Sequence, residues 1–308
     1  MNKLNALAHT LGGPTLAIIA FFVFNIQDAL NKALIPELGT GFGISAVLFV
    51  SVMLSVAWLA FEKKLSALKP HHARFLTANT LIMVVGNVAF LYALPRMPLV
   101  DVFIIILTTP AFATLVAWAL LRESLTPRQL MGFVVAVLAC LVALEVWQGF
   151  SLDRFSKYDP AALAALALHV FCFSLRPALV RKFGQKEHPL VLSIYGTFFT
   201  VVALLLFFTP VVPETITLMQ GGMILVSSTC VTLGLGLMFM GFKMGPANLT
   251  AGAQYTQMIW STLFGWLFFA EVPSPASSLA AMMMIISGAL LFWPTRNKHV
   301  RHHSPSDA

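Results

Sequence analysis

The 308-residue sequence predicts an all-α integral membrane protein, with ten transmembrane helices arranged as two inverted five-helix repeats. Three observations predict it. Hydrophobic residues make up 58% of the chain and charged residues only 10%, whereas a soluble domain carries about 25% charged residues. The cationic residues crowd onto alternate connections between apolar stretches. The two halves of the chain also repeat one another.

The apolar stretches set the helix count. Runs of about twenty apolar residues are long enough to cross the ~30 Å hydrocarbon core as helices. Ten such runs lie roughly at 13–34, 41–61, 74–95, 100–121, 127–146, 160–181, 189–209, 218–241, 247–269 and 276–293. The mean hydropathy of +0.86 agrees, and little chain is left for a soluble domain. Lys3 followed by "LAIIAFFVF" has the look of a secretory signal, but "NIQDALNK" stands where a small-residue cleavage site belongs. The segment reads as an uncleaved first helix.

Charge sets the orientation. With ten crossings, only Lys32, Arg96, Arg154 and Lys157 of the 19 Lys and Arg residues fall on the side away from the termini. By the positive-inside rule both termini are cytoplasmic, and the expected location is a bacterial inner membrane. The net charge of +7 thus sets topology and touches lipid headgroups. Nucleic acid is not an expected partner, the bilayer and a small molecule are, and monomer and homodimer both stay open. Cys140, Cys172 and Cys230 lie inside spans, so no disulfide framework is implied.

The repeat is visible without gaps. Gly86 meets Gly234, Pro98 meets Pro246, Thr108 meets Thr256, Trp118 meets Trp266, Glu123 meets Glu271 and Pro127 meets Pro275, all 148 residues apart. Five spans per half is an odd number, so the copies cross in opposite directions. The expected divisions are 1–148 for spans 1 to 5, 149–296 for spans 6 to 10, and a short cytoplasmic tail at 297–308. Thr126–Pro127 and Ser274–Pro275 read as a hydroxyl N-cap followed by a first-turn proline, and the two glutamates as carboxylates welcome near helix N-termini.

The stretch "GNVAFLYALPRMPLVDVFIIILTTPAFATLVAWALLRESLTPRQLMGFVVAVLAC" resembles the first EamA domain of the drug/metabolite transporter superfamily, and residues 234–290 repeat it more loosely. The resemblance implies a basket lined by spans 1, 3, 4, 6, 8 and 9, with spans 5 and 10 peripheral. It also implies carriage of amino acids, nucleotide sugars, purines, sugar acids or similar metabolites. Two departures stand out. Many members carry an arginine in span 2, where this chain has "AVLFVSVML", and Gln257–Met258 stands where the first repeat has Thr109–Pro110.

Polar groups inside spans mark candidate sites. Thr250, Gln254, Gln257 and Ser261 fall within about 60° of each other on an ideal helix, with Gln257 about 15 Å deep. Trp260 offers an apolar wall beside them, and Tyr255 lies about 100° from Gln254. Asn25, Asp28 and Lys32 share a face of span 1. Asp28 and Lys32 are spaced for an i, i+4 pair. In span 6, His169 lies about 14 Å in and Arg176 about 24 Å in. Either Asp28 or His169 is suited to carry a coupling proton, and Arg176 is alternatively a marker of the cytoplasmic interface. Thr108 and Thr109, before the helix-breaking Pro110, with Asn87 and Tyr92 in span 3, complete the expected lining.

The expected function is a secondary transporter for a small polar or zwitterionic metabolite, an amino acid or a derivative of one, working by alternating access between the repeats. Export is favoured over uptake. Phosphate-rich solutes call for cationic clusters that the mid-membrane region lacks. The alternatives are a nucleotide, sugar or cationic-drug carrier on the same fold and, remotely, an intramembrane enzyme. The sequence has no phosphate loop and no metal-ligand spacing inside a span. No enzymatic activity, cofactor or metal is therefore expected.

Overall fold

The computed structural model describes residues 12–122, 126–143, 159–184, 187, 189–208, 212–244 and 253–292. These residues form helices joined by turns, with no strand among them. The helices are α1 Gly13–Leu38, α2 Ser45–Phe61, α3 Ala73–Ala93, α4 Leu99–Ile106, α5 Thr109–Leu121, α6 Pro127–Ala143, α7 Pro160–Phe183, α8 Pro189–Phe207, α9 Leu218–Met244, α10 Gln257–Phe269 and α11 Pro275–Phe292. Six stretches are long and apolar enough to cross a bilayer: Thr15–Phe61, Ala73–Arg96, Leu99–Leu120, Pro160–Val180, Leu190–Phe207 and Leu218–Met238. Pro127–Ala143 and Pro275–Leu291 are shorter apolar helices. Phe171, Leu206, Phe207 and Phe268 stand exposed on the rim, as side chains do when the surroundings are lipid.

The first of the six stretches holds two helices. Gly39, at φ 71°, ends α1, and a π-helical turn over Gly39–Ile44 reverses the chain. A Cβ on Gly43 would come within 2.9 Å of Leu38 Cβ, so only glycine lets the turn fold back that closely. The fourth apolar run is also not one helix. It breaks at Leu107–Thr108, because Pro110 has no N–H for the preceding turn and fits only in the first turn of a new helix.

The internal repeat survives in fine detail. Thr109 and Gln257 open α5 and α10, Leu121 and Phe269 close them, and Arg122 and Ala270 follow in left-handed conformation at φ 56° and 51°. Each pair is 148 residues apart. Just before each helix a threonine hydroxyl donates back three residues: Thr108 Oγ1 to the Ile105 carbonyl at 2.6 Å, and Thr256 Oγ1 to the Ala253 carbonyl at 2.7 Å. The expected N-caps are present. Gln129 N–H donates to Thr126 Oγ1 at 3.3 Å, and Ser277 N–H donates to Ser274 Oγ at 3.1 Å.

Packing obeys the same relation. α1 lies along α9 as α7 lies along α3, α10 meets α1 as α5 meets α7, and α6 pairs with α11 away from the central cluster. Glycines bring the helices close. A Cβ on Gly86 of α3 would sit 2.7 Å from the Phe173 ring of α7, and one on Gly234 of α9 would sit 2.6 Å from the Phe24 ring of α1. Phe24 and Phe173 are 149 apart, so the first helix of each half is shifted by one residue from the 148 rule.

Connections sort into two ends. At the end away from Gly13, here the far end, Glu37 accepts from Gln220 Nε2 at 2.9 Å, Asp101 accepts from Ser277 Oγ at 2.7 Å, and Arg96 pairs with Asp159 at 3.6 Å. At the near end, Glu187 accepts from the His72 N–H at 2.6 Å and the Leu68 carbonyl from Tyr195 Oη at 3.0 Å. Glu123, the expected tail and residues 144–158 lie outside the described residues.

Candidate functional site

One face of α1 carries Phe21, Asn25, Asp28 and Lys32, which fall within about 60° at 100° per residue. Its two ends show what this face meets. Phe21 packs with Ala253 just before α10, and Lys32 reaches Glu271 just after it. Between them, Phe22 meets Trp260 edge-on with ring centroids 4.8 Å apart. Asn25 and Asp28 therefore stand on α1 between its contacts with the two ends of α10, in the seam these helices form.

The seam is short of hydrogen-bond partners. Asn25 is fully buried, and its Nδ2 donates to the Phe21 carbonyl at 2.8 Å, but its Oδ1 has no donor. Asp28 is 8% exposed, and no hydrogen bond or ion pair reaches it among the described residues. Trp260 Nε1 is buried without an acceptor. Gln257 is buried, and Ser261 satisfies itself on the Met258 carbonyl at 3.1 Å. Each unpartnered buried group costs about 1–3 kcal/mol, and a native fold keeps few of them. Two acceptors and a donor, unpaired in one seam, suit a small molecule that brings both a cationic and an acceptor group.

In the equivalent seam of the other half a hydroxyl ties the two helices together, and Thr109 Oγ1 is left unpaired. Ser174 of α7, 149 residues after Asn25, donates to the Val170 carbonyl at 2.6 Å and to the carbonyl of Thr109, the first residue of α5, at 3.2 Å. The halves share a backbone and differ in chemistry.

Other expected site residues lie elsewhere. Lys32 does not pair with Asp28. Its Nζ lies 2.5 Å from Glu271 Oε1, because the α10–α11 connection delivers a carboxylate that sequence spacing could not reveal. Thr250 lies outside the described residues. Gln254 is half-buried in the 3₁₀ turn Ala253–Thr256, so one α-helical stripe does not run from it to Ser261. Tyr255 is tucked under Gly288, in the apolar layer with α6 and α11. Asn87 Nδ2 donates to Thr200 Oγ1 at 3.3 Å, joining α3 to α8. Tyr92 Oη is 3.4 Å from Asp159 at the far end. Thr109 is buried with Oγ1 unpaired. His169 Nδ1 lies 2.9 Å from the Gly86 carbonyl, with its ring stacked 4.3 Å from Phe173. Arg176 Nε donates to Asn79 Oδ1 at 3.3 Å and lies over Phe173 at 5.1 Å. Asn31 and Asn79 are buried polar residues in spans 1 and 3 that the sequence pattern did not single out. Asn31 Oδ1 accepts from Ser227 Oγ at 2.9 Å.

Two like halves of apolar helices, with unpaired polar groups in a seam between them, are the build of a secondary carrier. The chain belongs to the EamA-like transporter family, whose model matches it twice, over residues 11–144 and 160–293. It is a multi-pass membrane transporter and not an enzyme. The chain is 26% identical over 282 residues to the pseudopaline exporter CntI of Pseudomonas aeruginosa strain UCBPP-PA14, covering 89% of this chain and 94% of that protein. It is 20% identical over 289 residues to the S-adenosylmethionine uptake transporter of Rickettsia felis, covering 92% and 94%. A solved crystal structure shares the fold at a TM-score of 0.64, with 15% identity over 92% of this chain and 96% of its own.

Proposed function

We propose that the protein moves a small zwitterionic metabolite, an amino acid or a derivative of one, across a bacterial inner membrane by alternating access, with export as its direction. The observation that carries this reading is the set of unpaired groups in the α1–α10 seam. Asp28 takes an ammonium group, Asn25 Oδ1 takes a second donor, and Trp260 Nε1 donates to an oxygen of the substrate. Trp260, Phe22 and Phe264 supply the apolar wall. A phosphate-bearing solute finds no cation here, since Lys32 is already engaged by Glu271.

In this reading the chain crosses the membrane ten times, with the near end cytoplasmic and the far end outside. The charge asymmetry of the sequence supports that orientation. Two relatives support a small-metabolite cargo. Export follows the relative of higher identity, named as an exporter, over the one named for uptake. Coupling to protons falls to Asp28, which has no partner among the described residues, in preference to His169, which the Gly86 carbonyl and Phe173 hold in a packed interface. A thermal-shift screen of the purified protein, with amino acids, S-adenosylmethionine and nucleotide sugars as probes, tests the substrate class. Stabilisation by amino-acid-type compounds is expected, and binding of nucleotide sugars alone would overturn the reading.

A further inference from the structure

At the far end one ion pair touches three elements. Lys32 Nζ of α1 is 2.5 Å from Glu271 Oε1 of the α10–α11 connection and donates to the Met97 carbonyl of the α3–α4 connection at 3.1 Å. Glu271 Oε2 accepts the N–H of Leu99, the first residue of α4, at 2.9 Å, where a helix N-terminus favours a carboxylate. The Lys32 ammonium also sits over the Phe269 ring at 5.1 Å. A second tie holds the same connection from the other side. Arg96 pairs with Asp159 at the start of α7 at 3.6 Å and lies over the Tyr92 ring at 3.8 Å.

We propose that the Lys32–Glu271 pair is the fastening of the far gate. It clasps α1 to α10 over the α3–α4 connection while the seam is shut on that side, and it parts when the seam opens there. This rests on the alternating-access reading above, and its test does not need the substrate. The near end is fastened differently. Its ties join the α2–α3 connection to the α7–α8 connection and to Tyr195 of α8, and none of them reaches α1 or α10 among the described residues. A passage between α1 and α10 toward the far side must separate Lys32 from Glu271, because they are one turn beyond Asp28 and cap the seam.

The chemistry suits a fastening that opens. Deeply buried ions that part lose far more than ions beside water can recover, whereas the Lys32 and Glu271 side chains are 11% and 21% exposed. Water at the rim rehydrates both ions as they separate, which keeps the closed and open states near enough in free energy to interconvert. Glu271 holds the Leu99 N–H with its other oxygen, so removing its charge loosens α4 as well as α1.

The test reads opening directly. In the full-length chain, Cys140, Cys172 and Cys230 are replaced by Ser, and Ala29→Cys is placed in the central cluster one turn below Lys32. Reaction with a membrane-impermeant maleimide is followed from the far side, per molecule of monodisperse protein. Glu271→Gln and Lys32→Gln are each expected to label about tenfold faster than the parent, a shift that a modest ion pair supports. The double variant is expected to label no faster than either single one, since the two residues act as a unit. Equal rates in all variants, or single effects that multiply in the double variant, would overturn the proposal. If the neutral variants do not fold, the parent with the pair intact decides. Raising the ionic strength screens a partly exposed pair and is expected to speed labelling, and a rate indifferent to salt would contradict the proposal.

Discussion

Asn25 and Asp28 are the residues on which the account turns, since both are buried acceptors left without donors beside a Trp260 N–H left without an acceptor. Removing the Asp28 charge does not weaken the resting fold, because among the described residues no hydrogen bond or ion pair is there to be lost. Asp28→Asn is therefore expected to leave the melting temperature unchanged or raised, while flux falls by at least about tenfold, as expected when a charged partner of the substrate is lost. A fall in melting temperature that matched the loss of flux would make Asp28 a structural residue. In proteoliposomes under an imposed proton gradient, Asp28→Asn is expected to abolish accumulation and spare exchange, whereas His169→Gln, which can keep a bond to the Gly86 carbonyl, is expected to leave both intact. Accumulation that survives Asp28→Asn would remove proton carriage by this residue. The sequence made Asn25, Asp28 and Gln257 legible, because polar groups inside apolar runs stand out. The true partner of Lys32 was hidden. Glu271 is 239 residues away, and the repeat links equivalent positions, not touching ones.

At the scale of the element, the break between α4 and α5 was half legible. The run Thr108–Thr109–Pro110 announces a lost backbone bond, and the structure turns that into two helices. Its counterpart at Ala253–Thr256 has no proline to announce it, and only Thr256, 148 residues after Thr108, points to it. Gly86→Leu must displace Phe173, and Gly234→Leu must displace Phe24, so each is expected to destabilise by about 1–3 kcal/mol or more through overpacking. Chemical denaturation in detergent measures this, and a neutral Gly86→Leu would mean that α3 and α7 do not approach as described. The caps are expected to contribute less. Thr126→Ala and Ser274→Ala should each cost about 1 kcal/mol, read from the same unfolding curves.

For the whole molecule, the repeat and the charge pattern led to two like halves, and the packing of α1 on α9 beside that of α7 on α3 bears the pairing out. The sequence showed that the halves differ, with Gln257–Met258 against Thr109–Pro110, but not which contacts differ. Ser174 ties α7 to α5 and leaves Thr109 Oγ1 unpaired, while on the α1–α10 side Asn25 Oδ1 and Trp260 Nε1 are unpaired and, among the described residues, no side chain bonds across. On the proposed reading, substrate binds on the side of α1. Orientation is tested by single cysteines on exposed connections: Glu37→Cys is expected to label only from outside and Ser66→Cys only from inside, and labelling of both from one face would exclude inverted halves. The central claim is that substrate binds in the α1–α10 seam, and counterflow exchange of an amino-acid-type substrate in proteoliposomes tests it most directly. The parent is compared with Asp28→Asn, Asn25→Ala and Trp260→Phe on one side, and with Gln254→Ala and Tyr255→Phe on the other. The account predicts that the first three lower exchange by at least about tenfold at equal reconstituted amount and that the last two stay within about twofold. Equal, mild effects across all five, or the largest loss at Tyr255, would contradict it.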